Sequence, residues 1–329
     1  MRPVRVISLL RAGAAAAAIL LVPTPVLAAA PAPAVAKTEV AIAPVDLQGP
    51  AISAVKVTVK NAGPERMRSL KVSFAGPVGW AVQPAERTVS AAVAAGRTVA
   101  TEFKIQVPEQ RPGFRVRTFT ASVTYKGGDG AGSATGTLSQ RTGEPLADLK
   151  AAYNGVAITD ESDTAPGDYD GEGNSFSAQK LAAVGLTRGA SVAALGAKLT
   201  WPDVPSGTKD NVASAGQAVT LSGQGSRLVF LGSGVGSGAT GTATVYYKDG
   251  TSAKGSFGFP NWSFSPADAH GATLVASSDG RNRPDGYGNA GIAYRVFAHS
   301  IPLDAAKQVD FVVLPDNSGI HVFDMAIAA

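Results

Sequence analysis

A chain of 329 residues is long enough for about two domains of ordinary size, and with no cysteine it can form neither disulfides nor thiolate metal sites. The formal charge of +4 overstates its basicity, because setting aside Arg2, Arg5 and Arg11 at the N-terminus leaves 26 basic and 25 acidic residues. Basic residues are nowhere gathered with aromatics, which excludes a nucleic-acid-binding surface.

The N-terminus reads as a secretory signal over residues 1–28. Arg2, Arg5 and Arg11 form the charged region, Ala12 to Val22 the apolar stretch, and Val26-Leu27-Ala28 the cleavage site. The apolar run is too short for a comfortable membrane span, and no later stretch is long or apolar enough, so a secreted, extracellular protein with no membrane partner is expected. Residues 29–39 make an Ala/Pro tether. Alternating strands then follow at Val55 to Val59, Leu70 to Phe74, Val99 to Val107 and Phe119 to Tyr125, with a last one near Ala134 to Gln140. Turn signals separate them, among them Asn61-Ala62-Gly63-Pro64, Gly76-Pro77 and Gly127-Gly128-Asp129-Gly130. This spacing predicts an antiparallel β-sandwich over 40–143.

Gly76-Pro77-Val78-Gly79-Trp80-Ala81-Val82-Gln83-Pro84, then Gly96 and the strand ending at Val107-Pro108, resembles the NPCBM-associated domain. That is an Ig-like module found beside catalytic domains in secreted alpha-galactosidases and other glycosidases. The resemblance implies a spacer fold; Trp80 itself reads as a core or sheet-end aromatic, since large aromatics dominate core burial.

Gly143-Glu144-Pro145 marks the boundary to a second domain, 146–329. Charge divides there: Lys37 to Pro145 holds 14 basic and 8 acidic residues, and the remainder 12 and 17. Leu146 to Tyr153 reads as a short helix or lead-in, and a strand starts at Val156 to Ile158. The acidic stretch Asp168-Tyr169-Asp170-Gly171-Glu172-Gly173-Asn174 is the densest polar cluster in the chain. Its glycines permit a tight path that brings the oxygens of Asp168, Asp170, Glu172 and Asn174 round one point, a candidate structural calcium loop; the bland alternative is Asx turns with solvated side chains. Ser177 can cap a helix over Ala178 to Val184 that stops at Gly185. Strands are expected at Lys198 to Trp201, Val219 to Leu221 and Arg227 to Leu231. The Gly/Ser-rich run Gly232 to Gly241 reads as a loop, since it lacks the Lys-Ser/Thr of a phosphate loop. Thr242 to Phe259 is a hairpin turning at Asp249-Gly250, and strands close the chain at Ile292 to Ser300, Val309 to Leu314 and Ile320 to Ile327. The expectation is an all-β protein: an Ig-like sandwich, then a jelly-roll-like sandwich with one short helix.

Tyr153-Asn154-Gly155, the acidic loop, Thr200-Trp201-Pro202-Asp203-Val204, Asp210-Asn211-Val212 and Ile320-His321-Val322-Phe323 together resemble the beta-sandwich module of secreted actinobacterial alpha-mannosidases and similar glycosidases. The resemblance implies an accessory, carbohydrate-binding unit. In relatives the segment before the late strands commonly reads Tyr-Arg-Asn, where this chain has Gly280-Arg281-Asn282.

Candidate chemistry is sparse. The three histidines, His270, His299 and His321, fit no metal spacing, no nucleophile elbow is present, and a pair of carboxylates flanking a sugar bond cannot be placed by sequence. Sugar-binding sandwiches stack an exposed aromatic on the C–H face of a sugar while polar groups read its hydroxyls. Asn261-Trp262-Ser263-Phe264 and Arg281 to Tyr287 carry such residues, in segments read as loops. Trp262, Arg281, Asp285 and Tyr287 are therefore the candidate contacts, with Trp262 as core the alternative. The sequence reads as a non-catalytic carbohydrate-binding accessory protein whose partner is a polysaccharide. A structural or adhesive cell-envelope protein and a cryptic glycoside hydrolase are the rivals.

Overall fold

The structure, a computed structural model, describes residues 37–109 and 113–329. The expected signal and most of the tether lie outside these residues. Among the described residues no helix is long and apolar enough to cross a membrane.

The first domain has strands β1 (Glu39–Ile42), β2 (Ala51–Lys60), β3 (Arg68–Ala75), β4 (Val82–Gln83), β5 (Glu86–Val89), β6 (Thr98–Val107), β7 (Arg115–Lys126) and β8 (Ser133–Thr142). They form two four-stranded sheets, β1-β2-β6-β4 and β5-β3-β7-β8. Strand alternation sends Val55, Val57 and Val59 inward from one sheet and Leu70, Val72 and Phe74 from the other, onto Phe103, Ile105, Phe119 and Val123. Each such side chain removed from water contributes about 1.5–3 kcal/mol. Trp80 closes one end of this core, edge-on to Phe119 at 5.9 Å, with the Arg117 guanidinium 5.6 Å above its ring.

The second domain begins with β9 (Ile158–Thr159), β10 (Phe176–Ser177), the helix α1 (Ala178–Ala183), β11 (Ser191–Ala194) and β12 (Ala197–Thr200). Nine further strands follow: β13 (Val212–Ala215), β14 (Ala218–Gly223), β15 (Arg227–Gly234), β16 (Ala239–Tyr247), β17 (Ser252–Phe259), β18 (Thr273–Arg283), β19 (Gly286–Pro302), β20 (Val309–Val313) and β21 (Asp316–Ala328). They build a five-stranded sheet, β13-β21-β15-β19-β18, facing a four-stranded one, β14-β20-β16-β17. The fold is all-β, two sandwiches with one short α-helix among the described residues, as the pattern of strands predicts. The helix is capped as expected, Ser177 Oγ accepting from the Lys180 N–H at 3.1 Å and Gly185 taking φ +87° beyond its end.

One feature exceeds a two-layer sandwich. On β15, Leu228 and Phe230 point into the core between the sheets, where Phe230 stacks on Phe257 at 4.0 Å. Val229 and Leu231 point the other way, into a second core with Tyr169, Phe176, Leu181, Trp201, Trp262 and Phe323. The five-stranded sheet is thus covered on its outer face by the acidic loop, α1 and the β11–β12 hairpin. The Thr200 N–H donates to Asp324 on β21 at 2.6 Å and Trp201 packs on Phe323 at 4.6 Å, which holds that cover down.

Two expectations are corrected. The Gly-rich run Gly232 to Gly241 is largely strand: Gly232 and Gly234 lie inside β15, and a Cβ on Gly232 would run into the His321 carbonyl and the Phe259 ring. The Arg281–Tyr287 segment is not a loop either; it is the tip of the β18–β19 hairpin, which pairs Arg281 with Gly288 and Asn282 with Tyr287.

The two domains meet directly. Gly143-Glu144-Pro145 separates β8 from Leu146, which bonds in parallel between Ala218 and Thr220 at 2.8 Å on either side. Arg141 pairs with Asp310 at 2.7 Å and lies over Phe311 at 5.7 Å, and Phe114 meets the same ring edge-on at 5.1 Å.

Candidate functional site

The acidic loop is held by hydrogen bonds and an aromatic anchor. Between its first two carboxylates Tyr169 plunges into the second core, 4.9 Å from the Trp262 ring, 5.3 Å from Phe176 and 4.3 Å from His321. Alternation leaves Asp168 and Asp170 on the other side. Asp168 Oδ1 accepts the Gly173 N–H at 2.9 Å; Asp170 Oδ1 accepts from the N–H groups of Glu172 at 3.1 Å and Asn174 at 3.3 Å. Asp170 Oδ2 takes the Asn174 amide at 2.9 Å and Arg281 Nη1 at 3.3 Å. Gly171 and Gly173 supply the positive φ this path needs, +79° and +74°.

These four residues do not fit calcium. Among the described residues no three His, Cys, Asp or Glu side chains gather as a metal site. Asp168 and Asp170 are turned onto backbone donors, Asn174 onto Asp170, and a guanidinium stands where a cation would be needed; this is the Asx-turn alternative. Asn282 on β18 completes the clamp: its backbone bonds Ser175 in both directions, at 2.8 and 3.0 Å, and its amide donates to Thr159 O at 3.0 Å and Oγ1 at 2.9 Å.

Beside the loop lies a cleft of about 540 Å³. One wall is Asp170 and Glu172; another is the Asn261–Phe264 turn; the floor is Trp262, Arg281 and Tyr294. The turn is fixed by Asn261, whose Oδ1 accepts from the Ser263 N–H at 2.8 Å and whose amide donates to Gly236 O at 2.6 Å. Arg295 reaches the Ser263 carbonyl from β19. The Arg281 guanidinium sits 6.0 Å above Trp262 and 5.7 Å above Tyr294. Its Nε is buried without a hydrogen-bond partner. Phe264 and Ile292 stand out at the rim, 72 % and 49 % exposed.

Of the four predicted sugar contacts only Arg281 keeps a place that suits the role. Trp262 is 2 % exposed, its faces occupied by Tyr169, Phe176 and Tyr294, so it is a core residue and cannot stack on a ligand. Phe264, two residues on, is the exposed aromatic. Asp285 sits at the hairpin turn and pairs with Arg283 at 3.2 Å. Tyr287 is cross-strand from Asn282, hence on the opposite face of the hairpin from Arg281. Its hydroxyl donates to the Asp279 carboxylate at 2.8 Å and Lys180 covers its ring at 4.6 Å. Asn289 and Ile292, also on the cleft, lie outside the predicted contacts: Asn289 sits in a Gly-rich run and Ile292 reads only as the start of a strand.

The remaining titratable cluster is buried. Asp210, 1 % exposed, accepts from the N–H groups of Ala157 at 2.9 Å and Ile158 at 2.8 Å and from the Asn211 amide at 2.8 Å. Asn211 Oδ1 meets His321 Nδ1 at 2.7 Å. With its amide committed to Asp210, Asn211 presents a carbonyl, so the imidazole donates from Nδ1. Burial pushes the Asp210 carboxyl up to about 7 and the His321 imidazole down to about 4.

Fold and site define a chain of two accessory-type β-sandwich modules. Residues 146–329 match the family model described as the AziU2-like beta-sandwich domain, and the chain belongs to that family. Residues 51–126 match the NPCBM-associated, NEW3 domain of alpha-galactosidase, so the two-module resemblance is borne out. No curated protein matches the chain.

Proposed function

We propose that the protein is an exported, non-catalytic carbohydrate-binding accessory protein that holds a glycan in the cleft between the acidic loop and the Asn261–Phe264 turn. One observation carries this reading: an aromatic ring, Phe264, projects into solvent beside a cleft that Asp170, Glu172, Arg281 and Asn289 also line. Such a ring is costly to expose and suits the C–H face of a sugar, while Asp170, Glu172, Arg281 and Asn289 suit its hydroxyl rim. The NPCBM-associated module supports a carbohydrate setting. The acids argue for binding rather than cleavage. Asp170 is tied to Arg281, and the carboxyl groups raised by burial, Asp210 and Asp324, do not line the cleft.

Retention of the chain on insoluble and soluble polysaccharides, or on a glycan array, tests the reading. Retention is expected to persist in EDTA, because hydrogen bonds rather than a metal close the loop. Phe264→Ala is expected to weaken it about twofold to tenfold, the effect of losing one stacked ring of about 0.5–1.5 kcal/mol. Absence of retention on every polysaccharide would return both sandwiches to the role of spacers.

A further inference from the structure

The charges lining the cleft are Asp170, Glu172 and Arg281. Asp170 and Arg281 neutralise one another across 3.3 Å, both largely buried, with side-chain exposures of 11 % and 21 %. Glu172 is different. It is exposed, Gly171 and Gly173 on either side hold it on the crest of the loop, and among the described residues no side chain bonds its carboxylate. The uncompensated charge facing the cleft is therefore one carboxylate, on a domain with 12 basic and 17 acidic residues. A polyuronate or sulfated glycan would meet repulsion from that carboxylate. A sugar carrying an ammonium group would meet an unpaired acceptor at the rim while its ring lies on Phe264.

Resting on the carbohydrate reading, we propose that the cleft is selective for glycans bearing free amino groups, with Glu172 the residue that reads the ammonium. Isothermal titration of the full chain with two hexamers tests this: β-1,4-linked glucosamine and its fully N-acetylated counterpart, which share backbone and length and differ in the charge at each second carbon. At low salt and mildly acidic pH the glucosamine hexamer is expected to bind about two- to fivefold more tightly, the range of a solvent-exposed ion pair. The preference for the glucosamine hexamer over its N-acetylated counterpart is expected to shrink as salt is added and to vanish in Glu172→Gln.

Equal or tighter binding of the N-acetylated hexamer would overturn the proposal, as would a preference that survives Glu172→Gln. Failure of both hexamers to bind, alongside Phe264-dependent retention on another polysaccharide, would also overturn it and leave the carbohydrate reading standing. Failure of every glycan would remove both.

Discussion

Asp210 and His321 titrate in opposite senses on either side of one amide. Between the ordinary carboxyl value of 3.8 and about 7, folded Asp210 keeps a proton that the unfolded chain releases, so its contribution to stability falls as pH rises. Between about 4 and 6.5 the unfolded chain binds a proton at His321 that the folded imidazole refuses, so that contribution rises with pH. Over roughly pH 4 to 6.5 the two slopes cancel, and unfolding costs or releases little net proton at this pair. His321→Gln removes one slope and leaves the other. Relative to the parent, the variant is expected to lose up to about 1.4 kcal/mol of stability per pH unit between about pH 4.5 and 6.5. Urea midpoints at several pH values measure it, and parallel profiles for parent and variant would refute the coupling.

Among the elements, β15 bears the tightest constraint, because it is buried on both faces and flanked by β21 and β19. Gly232 lets it pass the Phe259 ring and the β21 backbone. Gly232→Ala is expected to destabilise the second domain by about 1–3 kcal/mol through overpacking, read as a lowered urea midpoint. An unchanged midpoint would mean the strands can part at no cost. This glycine also shows where sequence reasoning stops. A Gly/Ser run signals loop when read locally, and the partner that demands the glycine lies some ninety residues away. In the first domain the opposite holds: β2, β3, β6 and β7 each bury one face, so their alternation is plain in the residues themselves. Strand β18 has no such alternation. Its inward side chains include Ser278 and Asn282, which serve hydrogen bonds to β19 and to the Thr159–Ser175 seam rather than an apolar core. The Trp262–Phe264 exchange has a related cause. The two aromatics lie two residues apart in a turn that carries no periodicity, and only the Asn261-fixed turn decides which goes inside.

For the molecule as a whole, the joint between the sandwiches decides whether the cleft is carried on a swivel or a bracket. Phe311 receives the Phe114 edge and the Arg141 guanidinium on its outward side while stacking on Tyr246 at 4.5 Å within its own sheet. Phe114→Ala is expected to loosen the joint and raise the radius of gyration in small-angle scattering, with little change in the melting of either core. Identical scattering from parent and variant would show that the Arg141–Asp310 pair and the short Gly143–Pro145 connection set the arrangement without Phe114.

Strand order carries a consequence for biogenesis. The five-stranded sheet cannot close until Asp316–Ala328 slots between β13 and β15, so every partner laid down before it must wait with an open seam. The first sandwich needs nothing beyond Thr142 and can set as soon as that stretch emerges. During synthesis the chain therefore passes through a stage with one finished module and a sticky, half-built neighbour. That interval is where a holdase would be needed most, and where a premature stop would do the greatest harm.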